Sequence, residues 1–162
     1  MVASSSQAGA QWVLLAYRLP REPSTPRIAV WRKLRRLGAA QLLDGLVALP
    51  LDSRNREQLE WLADEIAEAG GEAAIWIGAL ASRSQERELS TRMSEAAAAE
   101  YRDLIVEAER VGAEASGARR SLGRLRRELR RIRARDYFPP PERELAERAV
   151  EELAGIVEEV AG

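Results

Sequence analysis

The sequence predicts an α+β protein in two parts, a β-α-β-β-α-β domain over residues 11–81 and an antiparallel helical bundle over residues 82–162. Three observations carry this prediction. The run from Gln11 to Leu19, QWVLLAYRL, is largely apolar at odd and even positions alike, the pattern of a central strand buried on both faces. Asp44-Gly45, a tight-hairpin dipeptide, joins two short apolar runs. Beyond Ser82 the strand signals cease, and apolar residues recur at intervals of three and four, as one face of a helix requires.

After the first strand, a proline-punctuated turn leads to Thr25-Pro26, an N-cap followed by a proline at the first helical position. A basic amphipathic helix follows and stops at Gly38. The hairpin AAQLLD-G-LVALP comes next. Ser53 to Asn55 offer N-caps for a helix in which Leu59, Leu62 and Ile66 share a face, and Gly70-Gly71 ends it. Glu72 to Ala81, EAAIWIGALA, supplies the fourth strand. This order is the ferredoxin-like arrangement, with two helices covering one face of a four-stranded antiparallel sheet. Trp12 and Trp76 fall in expected central strands and are read as core. Trp31 and Trp61 are read as packing residues, with base stacking as the alternative. Residues 1–10, MVASSSQAGA, read as a disordered small-residue tail.

In the bundle, Leu89, Met93, Ala97, Tyr101, Leu104, Ala108 and Val111 line a first helix that Ser116-Gly117 breaks. Ala118, Leu122, Leu125, Leu129 and Ile132 form a strict heptad seam on a second. Tyr137 to Pro141, YFPPP, ends it, and a third helix carries Leu145, Ala149, Leu153, Ile156 and Val160. Arg119, Arg126 and Arg133 recur beside one seam, and Glu144, Glu151 and Glu158 beside the other. Antiparallel packing would pair Arg119 with Glu158, Arg126 with Glu151 and Arg133 with Glu144, each exposed pair contributing ~0.2–1 kcal/mol.

Composition narrows the chemistry. Among 162 residues there are 25 basic and 26 acidic ones, no cysteine and no histidine, so any basic site must be local. Disulfides, thiolate nucleophiles, imidazole bases and the usual zinc ligands are excluded. No apolar run approaches the roughly 18 residues of a membrane span and no secretory signal opens the chain, so a cytoplasmic protein off the membrane is expected. No metal-binding motif, cofactor fingerprint, P-loop or catalytic triad is present. Glu22 and Asp44 are the carboxylates nearest the end of the first strand, where a magnesium-dependent nuclease would want one, and both are more simply turn residues. The expected protein is not an enzyme.

The arginines supply the candidate site. With the seam-flanking three removed, Arg120, Arg124, Arg127 and Arg131 lie along another line of the second bundle helix, with Arg130 beside them and no evident acidic partner. Guanidinium forks in such a row suit phosphate oxygens, without base specificity of their own. Arg27, Arg32, Lys33, Arg35 and Arg36 make a second basic patch on the first helix, with Arg32, Arg35 and Arg36 as its phosphate-binding candidates. The alternative is that both patches are solvated basic faces.

The spaced residues Tyr17, Pro20, Glu22-Pro23-Ser24, Arg27, Trp31-Arg32, Leu34, Leu37-Gly38-Ala39, Leu42, Gly45 and Leu49-Pro50, followed by Gly70-Gly71 and Asp136-Tyr137-Phe138, resemble the N-terminal domain of ChrB, a chromate-resistance regulator. They are similar, more distantly, to the ferredoxin-like domain of PaaX-type repressors. The resemblance implies transcriptional control of a chromate-resistance operon, with DNA, chromate or another oxyanion, and a second copy or a partner regulator as binding partners. The competing expectation is a protein-interaction or dimerisation module that binds no DNA and covers or neutralises the arginine row.

Overall fold

In the computed structural model, residues 9–114 and 116–162 are described; most of the expected N-terminal tail, residues 1–8, lies outside them. The chain divides into two compact units, one ending at Leu89 and one running from Ser90 to Gly162.

The first unit contains β1 (Trp12–Arg18), α1 (Thr25–Leu37), β2 (Ala40–Leu43), β3 (Leu46–Pro50), α2 (Ser53–Glu68) and β4 (Glu72–Gly78). The strands form one antiparallel sheet in the order β2-β3-β1-β4. β1 is central, as its two-sided apolar pattern predicts. Val13 and Leu15 lie beside Leu49 and Val47 of β3 on one sheet face, and all four are buried. Trp12 is buried on the opposite face. α2 packs on β1 and β4 and closes the core with Leu59, Leu62 and Ile66.

Two glycines hold close approaches around β1. Gly45, at the β2-β3 turn, has φ +76°, and a Cβ there would stand 2.3 Å from the Tyr17 carbonyl oxygen. A Cβ on Gly71 would meet the Arg18 carbonyl oxygen at 2.4 Å. The two helix starts differ from expectation. Ser24, not Thr25, occupies the N-cap position of α1, and Thr25 is its first residue. Asp52 caps α2 by accepting from the Asn55 amide at 2.6 Å, while Asn55 is buried and its side chain donates to the Pro50 carbonyl at 2.9 Å. Asn55 thus ties the helix to the end of β3 instead of capping it.

Trp76 corrects the expected core. It is 62% exposed, on an edge strand that among the described residues pairs with β1 alone. Trp31 and Trp61 are 51% and 55% exposed, so neither fills a core position. α1 buries a single stripe, Val30 and Leu34.

The long helix α3 (Arg83–Glu114) begins in the first unit and continues into the second, which adds α4 (Ala118–Ala134) and α5 (Glu142–Ala161). Tyr101, Leu104, Ala108 and Val111 of α3 form one core with the full predicted seam of α4. α5 joins it through Ala146, Val150, Leu153 and Ala154, a stripe displaced from the expected one, whereas Leu145 and Val160 are exposed. Small residues at Ala146 and Ala154 allow this closer face to be chosen, and the rotation carries Glu144, Glu151 and Glu158 out to solvent.

Candidate nucleic-acid interface

α1 contains no acidic residue, so its cations are answered only from elsewhere in the first unit. Lys33 forms an ion pair with Glu65 of α2, which consumes one of them. Arg35 lies over the Trp31 ring, its guanidinium carbon 5.0 Å from the centroid, a cation-π contact that leaves the guanidinium edge open to acceptors. Arg32 and Arg36 are exposed and enter no ion pair among the described residues. Since Val30 and Leu34 fix the buried side of the helix, its 100° residue spacing turns Arg32, Arg35 and Arg36 outward. The three predicted α1 residues therefore share an accessible surface. Nearby, burial raises the Tyr17 phenol pKa, Arg27 opposes the shift, and Asp44 adds to it.

The α4 row is less free than its sequence suggests. Arg124 donates to Glu107 of α3 at 2.7 Å, and Arg131 lies 3.5 Å from Glu128 on its own helix. Glu107 also takes two hydrogen bonds from Arg110, at 2.9 Å each. Hydrogen bonds from Arg110 and then Arg124 hold the Glu107 carboxyl down at about 2, and the same contact with Glu107, together with Glu114, raises Arg110. Arg120, Arg127 and Arg130 are exposed and enter no ion pair among the described residues. The expectation that the row lacks an acidic partner is thus corrected at Arg124 and Arg131. Glu107 was missed because sequence spacing links residues of one helix, whereas this contact spans two.

The expected edge pairs between α4 and α5 are also revised. Arg133 meets Glu147 at 3.4 Å, not Glu144, while Arg119 and Arg126 enter no ion pair among the described residues. The displaced α5 stripe is the cause. Around the same helix ends, the buried Tyr101 hydroxyl donates to Asp136 at 2.8 Å, and Arg135 is paired with Glu100. Burial first, and the Asp136 bond second, raise the Tyr101 phenol pKa. This is a structural tie between α3 and the α4-α5 connection. Among the described residues no cluster of three metal-ligating side chains occurs, and Glu22 and Asp44 are both exposed.

Chemically, exposed guanidinium groups suit hydrogen bonding to the oxygens of phosphate and other oxyanions. Residues 27–162 match the family model described as Protein ChrB, N-terminal. Among curated proteins, the chain is similar to Protein ChrB of Cupriavidus metallidurans, with 32% identity over 107 residues. That match covers 66% of this chain and 32% of the relative, so the chain spans about a third of the relative's length. No solved structure matches.

Proposed function

The chain belongs to the ChrB N-terminal family, and on that premise we propose that it is a non-catalytic, cytoplasmic DNA-binding regulator of a chromate-resistance operon. Arg32, Arg35 and Arg36 on α1 and Arg120, Arg127 and Arg130 on α4 supply the phosphate contacts, each surface acting by itself. The supporting observation is that these six are exposed and, among the described residues, none is neutralised by a carboxylate. Arg124 and Arg131 contribute only if DNA phosphates displace Glu107 and Glu128.

The ferredoxin-like reading of the first unit belongs to this proposal, supported by the strand order β2-β3-β1-β4, and with it the more distant likeness to PaaX-type domains. Chromate is the proposed effector. As a doubly charged tetrahedral oxyanion it suits the same guanidinium donors as phosphate, so effector and DNA would compete for, or couple through, arginines. Footprinting of the DNA upstream of the operon tests the reading. A discrete protected segment supports it, and uniform or absent protection contradicts it.

A protein-interaction module is the second reading. It is favoured by the neutralised Arg124 and Arg131 and by the exposed Trp31, Trp61 and Trp76. Retention of the operon's DNA by the protein at physiological salt separates the two readings.

A further inference from the structure

The two edges of the sheet are unlike. β2 is four residues long, and its register with β3 shifts between Gln41 and Leu43, an irregularity that hinders pairing with another strand. β4 is seven residues long and, from Ala73 to Gly78, contains no charge, no proline and no register shift. Its outer side has no strand partner among the described residues, and Trp76 and Ile77 are exposed. Proteins ordinarily protect such an edge.

We infer that the β4 edge is a two-fold interface, where a second copy of this chain adds its own β4 antiparallel and extends the sheet to eight strands. The strand is self-complementary about Ile75. A two-fold axis there sets Ile75 against its own mate, Ala74 against Trp76, Ala73 against Ile77, and Glu72 against Gly78. Away from the axial Ile75 pair large residues meet small ones, and the one charge of the strand, already paired with Arg18 at 2.7 Å, meets no like charge.

α2 fits the same axis. It packs on both β1 and β4, so its mate would lie two strand spacings away, about 9.6 Å, within the 8–10 Å of packed helices. The ion pair of Lys33 with Glu65 shows which flank of α2 turns toward α1. By helical spacing, Arg56, Glu60, Ala63 and Ala67 occupy the opposite flank, toward the β4 edge. The Gly71 backbone lies against Ile66. Four strand residues from Gly71 to Ile75 cover about 13 Å, or about nine helical residues, which places the axis near Glu57 of α2. An antiparallel mate centred about one residue further on, at Gln58, brings Arg56 of each copy, already paired with Glu60 of its own helix at 3.0 Å, opposite Glu60 of the other. This interface does not depend on the DNA-binding reading.

Sedimentation velocity of the full chain, from micromolar to near-millimolar concentration, tests the interface. The wild type is expected to dimerise, and Trp76→Lys to weaken association by about tenfold or more while circular dichroism stays unchanged. Arg56→Glu weakens it through facing carboxylates, also losing the pair with Glu60 of its own helix, and the double exchange R56E with E60R restores both, with circular dichroism unchanged in each variant. Leu43→Lys, on the β2 edge, has no effect. A wild type that stays monomeric throughout overturns the inference, as does a dimer indifferent to both Trp76→Lys and Arg56→Glu. If Trp76→Lys does not fold, the Arg56 and Glu60 exchanges decide alone.

Discussion

Arg124 of α4 donates to Glu107 of α3 across 2.7 Å, and this contact divides the α4 arginines into occupied and available members. Glu107 is held down at about 2 by its two arginine partners, so the contact is intact throughout the physiological range.

The first prediction concerns that carboxylate. Its depressed folded-state pKa means that its contribution to stability is complete above the ordinary value of 4.5 and fades as pH falls toward about 2. A carboxyl titration followed by nuclear magnetic resonance should give Glu107 a midpoint near 2. Glu107→Gln should release Arg124 and steepen the salt dependence of any DNA binding.

The second concerns the phosphate-binding arginines. Replacing Arg120, Arg127 and Arg130 with alanine should reduce the slope of log affinity against log salt by about 0.9 for each phosphate no longer neutralised. The Arg32, Arg35 and Arg36 triple replacement should do the same if α1 is the principal surface. Replacing Arg124 and Arg131, which already have acidic neighbours, should have the smaller effect. Salt titrations on variants with unchanged circular dichroism rank the two surfaces.

The third concerns Tyr101 and Asp136. Tyr101→Phe removes the donor to Asp136 Oδ2, in a group whose other oxygen is already buried without a hydrogen-bond partner among the described residues, and should cost about 1–3 kcal/mol in urea unfolding. The phenol pKa is raised in the folded state, so the wild-type contribution is complete below the ordinary value of 10 and is lost as pH rises through the folded value. Tyr101→Phe should lessen the alkaline loss of melting temperature, with Tyr17, raised in the same direction, supplying part of what remains.

The fourth concerns the hairpin. Gly45→Ala imposes a positive φ on a residue with a Cβ, at about 1–3 kcal/mol, and adds a clash with the Tyr17 carbonyl. The Tyr17 amide donates to the Gly45 carbonyl at 2.8 Å, so the turn and β1 should loosen together. Hydrogen exchange at the Tyr17 amide reports this directly.

Much of the fold was legible because local periodicity encodes it. The β1 run and the α4 seam from Ala118 to Ile132 each have one apolar arrangement that satisfies burial, and the Asp44-Gly45 turn is marked by the glycine that its positive φ requires. Trp76 was misplaced because an apolar run does not say whether its strand is central or at an edge. On α5 the expected stripe holds at Leu153, which is buried, and at Ala149, which packs against the core, but not at Leu145 and Val160, because a second apolar stripe, Ala146, Val150, Leu153 and Ala154, overlaps it and packing chose the smaller residues. The arginines of the candidate site were visible by type and spacing. The pairing of Arg131 with Glu128, three residues apart on one helix, was within reach of sequence spacing, whereas that of Arg124 with Glu107 was not, because it depends on how α3 and α4 lie together.

Fluorescence anisotropy decides whether this ChrB-family chain is, as proposed, a chromate-responsive DNA-binding regulator. The chain is titrated against its own upstream DNA and a scrambled duplex, at low and near-physiological salt, with chromate or sulfate added. Preferential binding of the upstream duplex that persists at the higher salt and changes with chromate but not with sulfate is the expected result. Equal binding of both duplexes that vanishes as salt rises, or no response to chromate, would contradict it.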